Sequence, residues 1–272
     1  MALSSRLIAQ HLSECLPELL PLGAKQGTSI QSISEFEAVY ADRSLWPSVF
    51  SQVDIAYAMS KRKPRQGTEI LAARLAFFKA LAEALNINYE QLRPYTTHIA
   101  VQHEQLGGRS RLQFSPALSE ILGVSAQQVA FSLSHSGDIA LTTVLIRPLG
   151  ARWRIGIDIQ SVPDFAREWS MHPLRRTIFS DAVLEAAAAD PETELESLAA
   201  YFSALEAFAK ASTLGWDGIR HVATEFEYQH AGLQVQLLRP ERLSQVAPPS
   251  MPLLMLHNQQ MAAAAVFYDA GP

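Results

Sequence analysis

Two short segments place charged side chains where they could act on a phosphate ester. Asp158 lies inside an apolar, β-like run at residues 154–160. Glu206 and Lys210 are four residues apart, so they share one face of the helix predicted over residues 194–211. Two acids brought together from a strand and a helix could hold a hard cation through oxygen ligands, and a lysine beside it could bind phosphate. This combination predicts a metal-assisted site.

The elements that must position these groups follow from apolar periodicity and turn signals. The predicted helices lie at residues 67–85, 174–189 and 194–211, and the predicted strands at residues 35–41, 129–133, 139–146, 154–159, 223–228, 233–238, 252–257 and 262–268. The break at Pro148, Leu149 and Gly150 predicts a boundary between an N-terminal lobe, residues 1–150, and a C-terminal lobe, residues 151–272. We expect no sequence repeat.

Bulk composition excludes several classes of protein. The chain has 272 residues, and 48% are hydrophobic, which is enough for a full core. The net charge of −5 disfavours a protein that binds nucleic acid through phosphate contacts. Cys15 is the only cysteine, so no intramolecular disulfide can form. No stretch approaches the roughly 20 apolar residues of a membrane span. We therefore predict a cytoplasmic protein that binds neither nucleic acid nor membrane.

Three motifs, taken in order, resemble those of a known family. Residues 131–137, F-S-L-S-H-S-G, resemble the S-x-S-H-S/C-G segment of the 4′-phosphopantetheinyl transferases. Residues 156–159, G-I-D-I, resemble that family's G-I/V-D motif, and residues 202–210, F-S-A-L-E-A-F-A-K, resemble its W/F-x-x-K-E-x-x-x-K motif. The length of the chain is similar to that of the Sfp-type and enterobactin-type subgroup.

The resemblance implies both a fold and a reaction. The implied fold is α+β, a pseudo-dimer of two similar lobes that each contain a small antiparallel sheet and a long helix, with the active site in the cleft between them. The implied reaction transfers the phosphopantetheine arm of coenzyme A to a serine of an apo acyl or peptidyl carrier protein. Mg²⁺ is the implied cofactor, adenosine 3′,5′-bisphosphate is the by-product, and a monomer suffices.

The resemblance also implies roles for the acid segment. Asp158 and Glu206 would bind the metal, and Gln160 would offer a neutral oxygen where many members have a second acid. Glu206 would also act as the base for the serine, and Lys210 would contact the pyrophosphate or help protonate the leaving group. The alternatives are that Asp158 caps a turn and that Glu206 is a surface residue paired with Lys210.

The resemblance also implies residues that would contact coenzyme A. By resemblance, His135 contacts a nucleotide phosphate and Ser134 donates a hydrogen bond to the same group. The other candidates for coenzyme A are Arg62, Lys63, Arg65, Arg109 and Lys210. Arg167, Arg175 and Arg176 are candidates for docking an acidic carrier. His135 could instead be a structural turn residue, and charge runs usually face solvent.

One position departs more seriously from the family pattern. Leu205 replaces the lysine that precedes the motif glutamate, and this removes a positive charge beside the phosphates. The first alternative function is therefore a catalytically impaired member that binds coenzyme A or a carrier within a biosynthetic complex. The second is an unrelated α+β enzyme, such as another metal-dependent transferase of phosphate esters.

Overall fold

The computed structural model describes residues 2–21, 23–103, 110–169, 175–212, 226–228, 234–237 and 250–269. The helices are α1 Ala2–Leu19, α2 Ile33–Tyr40, α3 Gln52–Met59, α4 Pro64–Ala84, α5 Tyr89–Leu92, α6 Pro116–Leu122, α7 Val162–Trp169, α8 Arg175–Ile178, α9 Asp181–Ala188 and α10 Glu194–Ser212, with short 3₁₀ helices at Arg43–Ser48, Arg93–His98 and Ala126–Gln128. The strands are β1 Lys25–Ser32, β2 Ile99–His103, β3 Ser110–Phe114, β4 Val129–Ser136, β5 Ile139–Ile146, β6 Trp153–Ser161, β7 Phe226–Tyr228, β8 Gln234–Leu237, β9 Ser250–His257 and β10 Met261–Asp269. Within these ranges, no helix has the length and apolarity needed to cross a membrane.

The chain forms two compact units. Leu22–Ala151 form one, called here the middle unit, and Met1–Pro21 together with Arg152–Pro272 form the other, called the terminal unit. The predicted lobe of residues 1–150 differs from this division at its first residues. The reason is that α1 packs on β9 and β10 of the terminal unit, where Leu12 and Leu16 are fully buried.

The middle unit is built from an antiparallel sheet of order β1-β5-β4 that packs against α4. Strand β1 lies so close to this helix that a Cβ on Gly27 would stand 2.0 Å from the carbonyl oxygen of Ala80. Helix α4 begins with Pro64 in its first turn, where proline is preorganised for a helix. Its Leu71, Phe77 and Phe78 are buried in the apolar core of this unit.

The terminal unit repeats this construction with an antiparallel sheet of order β6-β10-β9-β8-β7 and helix α10. Helix α10 packs on β6 and β10. A Cβ on Gly156 of β6 would stand 1.8 Å from the carbonyl oxygen of Ala207. Each unit therefore has an antiparallel sheet and one long helix in close contact, and the predicted α+β class with two similar units is confirmed.

The two units are related by an internal repeat, contrary to the expectation from sequence. Residues 27–36, G-T-S-I-Q-S-I-S-E-F, align without a gap with residues 156–165, G-I-D-I-Q-S-V-P-D-F. Residues 69–84 of α4 align in the same way with residues 196–211 of α10, with identity at seven positions.

Equivalent contacts support this alignment. The Ser32 and Ser161 side chains accept hydrogen bonds from the backbone amides of Glu35 and Asp164, at 3.1 and 3.3 Å.

Two predicted elements were wrong. The strand expected over residues 35–41 is instead helix α2 up to Tyr40, because Ser32 caps the helix and Ile33 and Phe36 are buried on its inner face. The helix expected over residues 174–189 is divided into α8 and α9, because Ser180 has an extended backbone and its side chain accepts from the amide of Val183.

Candidate active site

Strand β6 presents a carboxylate to helix α10. Gly156, Asp158 and Gln160 alternate with apolar residues, so they share the face of the strand on which Gly156 approaches the helix. Asp158 is 1% exposed, and Gln160 is half-buried. A buried carboxylate is costly unless charges or hydrogen bonds compensate it, so the partners of Asp158 define the site.

Lys210 is the cationic partner of Asp158. Its Nζ lies 2.7 Å from Asp158 Oδ1 and donates a second hydrogen bond, at 3.0 Å, to the carbonyl oxygen of Ile157. The side chain of Lys210 keeps 32% of its surface exposed, so the ammonium stands at the border between protein and solvent. The structure thus joins strand and helix through an ion pair between two of the predicted site residues.

Glu206 lies close enough to this pair for the charges of Asp158 and Lys210 to act on it. Burial raises the pKa of Glu206 well above its usual value, the negative charge of Asp158 raises it further, and Lys210 opposes these effects. Because the carboxyl groups of Asp158 and Glu206 lie close together and away from water, ionising both is unfavourable unless further positive charge is nearby. The three predicted residues Asp158, Glu206 and Lys210 therefore form one coupled group.

The donor set fits a hard divalent cation. Carboxylate and amide oxygens are the ligands that Mg²⁺ and Mn²⁺ prefer, and Asp158, Glu206 and Gln160 supply them. In the described ranges no group of three or more His, Cys, Asp or Glu residues is arranged to hold a metal, so a cation here would complete its shell with other oxygens. The mutual repulsion of the two carboxyl groups is the electrostatic reason to expect a cation.

Leu205, the position that departs from the family motif, faces away from this group. Its side chain is 5% exposed and belongs to the apolar core of the terminal unit, with Phe202 and Phe208. A side chain at this position therefore meets apolar neighbours, and a lysine there would have to bury its stem and ammonium.

A second polar cluster lies in the middle unit around His135. His135 Nδ1 lies 3.7 Å from Glu69 Oε2, and Arg65 Nε lies 3.1 Å from Glu69 Oε1. Arg65 also donates to the carbonyl oxygen of Gly137 at 3.1 Å, which ties the start of α4 to the turn after β4. Two predicted coenzyme A ligands, Arg65 and His135, are thus brought together by an acid that sequence reasoning missed.

The other predicted ligands are placed differently. Ser134 is 6% exposed, whereas the side chain of its neighbour His135 is 39% exposed, because successive residues of β4 point to opposite faces. Arg62 and Lys63 are exposed just before α4. Arg109 lies outside the described residues.

The candidate docking arginines are spread over two helices. Arg167 is exposed on α7 and pairs with Asp164. Arg176 is exposed on α8, and the side chain of Arg175 lies outside the described part of the chain.

A cavity of about 460 Å³ opens beside the His135 cluster, within the middle unit. Arg65 lines it, and so do Arg43, Thr68 and Trp46. The guanidinium of Arg43 stands 5.2 Å from the centre of the Trp46 ring. Neither Arg43 nor Trp46 was expected from the sequence, because no motif marks them.

The terminal unit contains a counterpart of the His135 cluster. His257 Nδ1 lies 3.6 Å from Glu196 Oε2, and these two residues align with His135 and Glu69 in the repeat. The sequence carried the signal, since the hairpin segment beginning at His135 aligns with the one beginning at His257. At the position of Arg65, however, the terminal unit has Glu192, so the two clusters differ in charge.

Comparison with protein families identifies the segment that contains the acid group. Residues 154–246 match the 4′-phosphopantetheinyl transferase superfamily. This part of the chain is similar to that superfamily. The recognition of the superfamily from three motifs is therefore confirmed, and with it the predicted class of enzyme. No curated protein sequence matches the chain.

Solved structures of holo-[acyl-carrier-protein] synthases share a weaker similarity. The enzyme from Neisseria meningitidis is 22% identical and aligns over 46% of this chain and 98% of its own, with a TM-score of 0.37. A coenzyme A complex from Chronobacterium ammoniagenes is 26% identical over 46% of this chain and 97% of its own, with a TM-score of 0.37. A coenzyme A complex from Helicobacter pylori is 16% identical over 44% and 98%, with a TM-score of 0.35.

Proposed function

We propose that this protein transfers the 4′-phosphopantetheine arm of coenzyme A to a serine of an acyl or peptidyl carrier protein. The observation that carries the proposal is the coupled group of Asp158, Glu206 and Lys210, which lies in the segment that matches the superfamily. Both units belong to one chain, so the proposed enzyme needs no second copy.

In the proposed reaction, the serine oxygen forms a bond to the β-phosphorus of coenzyme A. The bond from that phosphorus to the bridging oxygen breaks, and adenosine 3′,5′-bisphosphate leaves. The ionised carboxylate of Glu206 would accept the serine proton, directly or through one water.

Lys210 would balance part of the negative charge of the site. Its ammonium fixes Asp158 and retains exposed surface toward solvent, so it could also contact a pyrophosphate oxygen. We propose Mg²⁺ as the cation held by Asp158, Glu206 and the amide oxygen of Gln160. When bound, it would neutralise charge that develops on the leaving group.

The middle unit would bind the nucleotide end of coenzyme A. Arg65 is already oriented by Glu69 and the carbonyl oxygen of Gly137, and it lines the cavity next to His135. A guanidinium oriented before binding loses less conformational entropy when it meets a phosphate. Arg62 and Lys63 would add exposed positive charge at the same end of α4, and Arg167 and Arg176 would meet the acidic carrier.

The test is the intact mass of apo carrier proteins after incubation with the protein, coenzyme A and Mg²⁺. We expect a gain of about 340 Da on a carrier, the mass of one phosphopantetheine arm as its chemistry requires. Glu206→Gln should slow this gain by about 10²–10⁴-fold, the usual contribution of a general base. Glu185→Gln, an exposed acid on α9 of the same unit, is the matched control and should leave the rate unchanged.

Two other outcomes would decide between the alternatives. Coenzyme A binding without any mass gain across a panel of carriers would favour the impaired, binding-only member. Neither binding nor transfer would favour an unrelated phosphate-ester transferase and would overturn the proposal.

A further inference from the structure

The internal repeat carries the acid site twice, with its charges exchanged. Glu206 and Lys210 on α10 align with Lys79 and Glu83 on α4, so E-x-x-x-K becomes K-x-x-x-E. On the facing strand, Asp158 aligns with Ser29. The alignment is fixed in space as well as in sequence, because Gly156 and Gly27 make the same close approach to the backbone of their helices.

The second helix position keeps its contact while its charge is reversed. Lys210 Nζ donates to the carbonyl oxygen of Ile157 at 3.0 Å. Its counterpart Glu83 accepts, through Oε2, from the backbone amide of Thr28 at 3.0 Å. Thr28 and Ile157 occupy the same place in the repeat. The carboxylate of Glu83 therefore accepts a hydrogen bond from its strand where the ammonium of Lys210 donates one.

At the first helix position, the ammonium of Lys79 contacts the counterpart of a proposed metal ligand. Lys79 Nζ donates to Gln31 Oε1 at 2.8 Å, and Gln31 aligns with Gln160, whose amide oxygen we propose as a cation ligand. A positive charge therefore stands against the amide oxygen at this strand position.

This ammonium has little compensation from its surroundings. Lys79 is half-buried, and in the described ranges no carboxylate oxygen lies within 4.0 Å of its Nζ. Burial lowers the pKa of Lys79, and the charge of Glu35, at longer range, opposes that effect. Its hydrogen bond to Gln31 and the repeat geometry are what hold it in place.

We propose that the middle unit contains a latent divalent-cation site, formed by Ser29, Gln31 and Lys79, in which the lysine ammonium stands in place of the cation. The chain then holds one divalent cation, in the terminal unit. Two substitutions, Ser29→Asp and Lys79→Glu, restore the oxygen ligands of a second site. The expectation of one cation in the terminal unit rests on the proposed function. The expectation of a second site in the substituted protein does not.

The test is the number of Mn²⁺ ions bound per chain, measured by electron paramagnetic resonance of free Mn²⁺ during titration. We expect one ion for the unmodified protein and two for Ser29→Asp/Lys79→Glu. Adding Glu206→Gln to that pair should return the number to one. Lys79→Gln is the matched control, since it removes the ammonium without adding a carboxylate, and it should still bind one ion.

The outcomes separate this inference from the proposed function. If the unmodified protein binds none and Ser29→Asp/Lys79→Glu binds one, the latent site is supported and the cation site in the terminal unit fails. If Ser29→Asp/Lys79→Glu is folded by circular dichroism and binds no more ions than the unmodified protein, the inference is overturned.

The reverse exchange keeps the inference testable if that pair does not fold. Asp158→Ser/Glu206→Lys/Lys210→Glu should transplant the arrangement of the middle unit into the terminal unit. We expect its Tm without metal to equal or exceed that of the unmodified protein, and Mn²⁺ should no longer raise it. A lower Tm without metal, or a Tm that Mn²⁺ still raises, would contradict the proposal.

Discussion

Glu206 is the residue whose proton sets the charge of the acid site. The unfolded chain releases this proton near the usual glutamate pKa of about 4.3, whereas burial and Asp158 raise the pKa in the folded protein. Between these two values the folded protein binds more protons than the unfolded chain. The free energy of unfolding should therefore fall as the pH rises through this range.

We expect Glu206→Gln to reduce this pH dependence in metal-free buffer, because the substituted amide cannot ionise. Urea unfolding with EDTA present, at a series of pH values from acid to neutral, measures the slope. Glu185→Gln should keep the slope of the unmodified protein. Equal slopes for the unmodified protein and Glu206→Gln would show that the Glu206 pKa is not raised.

Leu205 gives a second prediction at the scale of one residue. Leu205→Lys restores the family motif, yet its side chain enters the apolar core around Phe202 and Phe208. We expect it to lower the free energy of unfolding by about 2–5 kcal/mol, the range for losing a large buried apolar side chain. Leu205→Met, which keeps the volume, should cost less than about 1.5 kcal/mol. Chemical denaturation gives both values, and a Leu205→Lys variant as stable as the unmodified protein would contradict the placement.

Much of the acid site could be predicted from sequence, because its spacing is local. Four residues separate Glu206 from Lys210 on a helix, and a lone acid in an apolar strand marks Asp158. The pairing between Lys210 and Asp158 could not be predicted, since it depends on how β6 packs against α10. Glu69 was missed for the same reason: its partner His135 comes from another part of the middle unit.

At the scale of elements, the two glycine contacts set the distance between strand and helix. Gly156→Ala would drive a Cβ against the carbonyl oxygen of Ala207, and neither backbone can move without shifting a whole element. We expect a loss of about 3 kcal/mol or more, the upper range for overpacking, from Gly156→Ala and equally from Gly27→Ala.

A substitution at a third glycine, Gly150, measures the cost of backbone strain without crowding. Gly150 has a φ of +87°, and a Cβ added to it would meet no atom of the described residues within 4 Å. Gly150→Ala should therefore cost only about 1–2 kcal/mol of strain. Thermal unfolding of the three variants measures the difference. A cost for Gly156→Ala no larger than that for Gly150→Ala would mean that the strand and helix can separate cheaply.

The elements also show why the repeat escaped detection. The matching segments are short, and the stretches between them differ in length and in structure: β2, β3 and α6 lie between α4 and its hairpin, whereas β7 and β8 lie between α10 and its hairpin. Apolar periodicity predicted both long helices and both hairpins because these segments are strongly patterned. It failed at residues 35–41, where the capping Ser32 decided the structure.

At the scale of the whole molecule, α1 belongs to the unit that contains the acid site. Leu12→Ala should lower the free energy of unfolding by about 2–5 kcal/mol, because Leu12 is fully buried. Leu7→Ala, on the same helix at 58% exposure, should change it by less than about 0.5 kcal/mol. Hydrogen exchange should locate the effect of Leu12→Ala in β9 and β10, and faster exchange confined to β1 and β5 would refute the assignment.

The place of α1 also has a consequence for the order of events during synthesis. Roughly 230 residues separate the end of α1 from the start of β9, the first of its two partner strands to be made. At about 5–20 residues per second, the ribosome needs roughly 10–50 seconds to make that stretch. The apolar side of α1 spends this time without its final partners while the whole middle unit emerges. Helix α1 is made before the middle unit and is buried only after that unit is complete. We therefore expect a chaperone to bind α1 on the nascent chain.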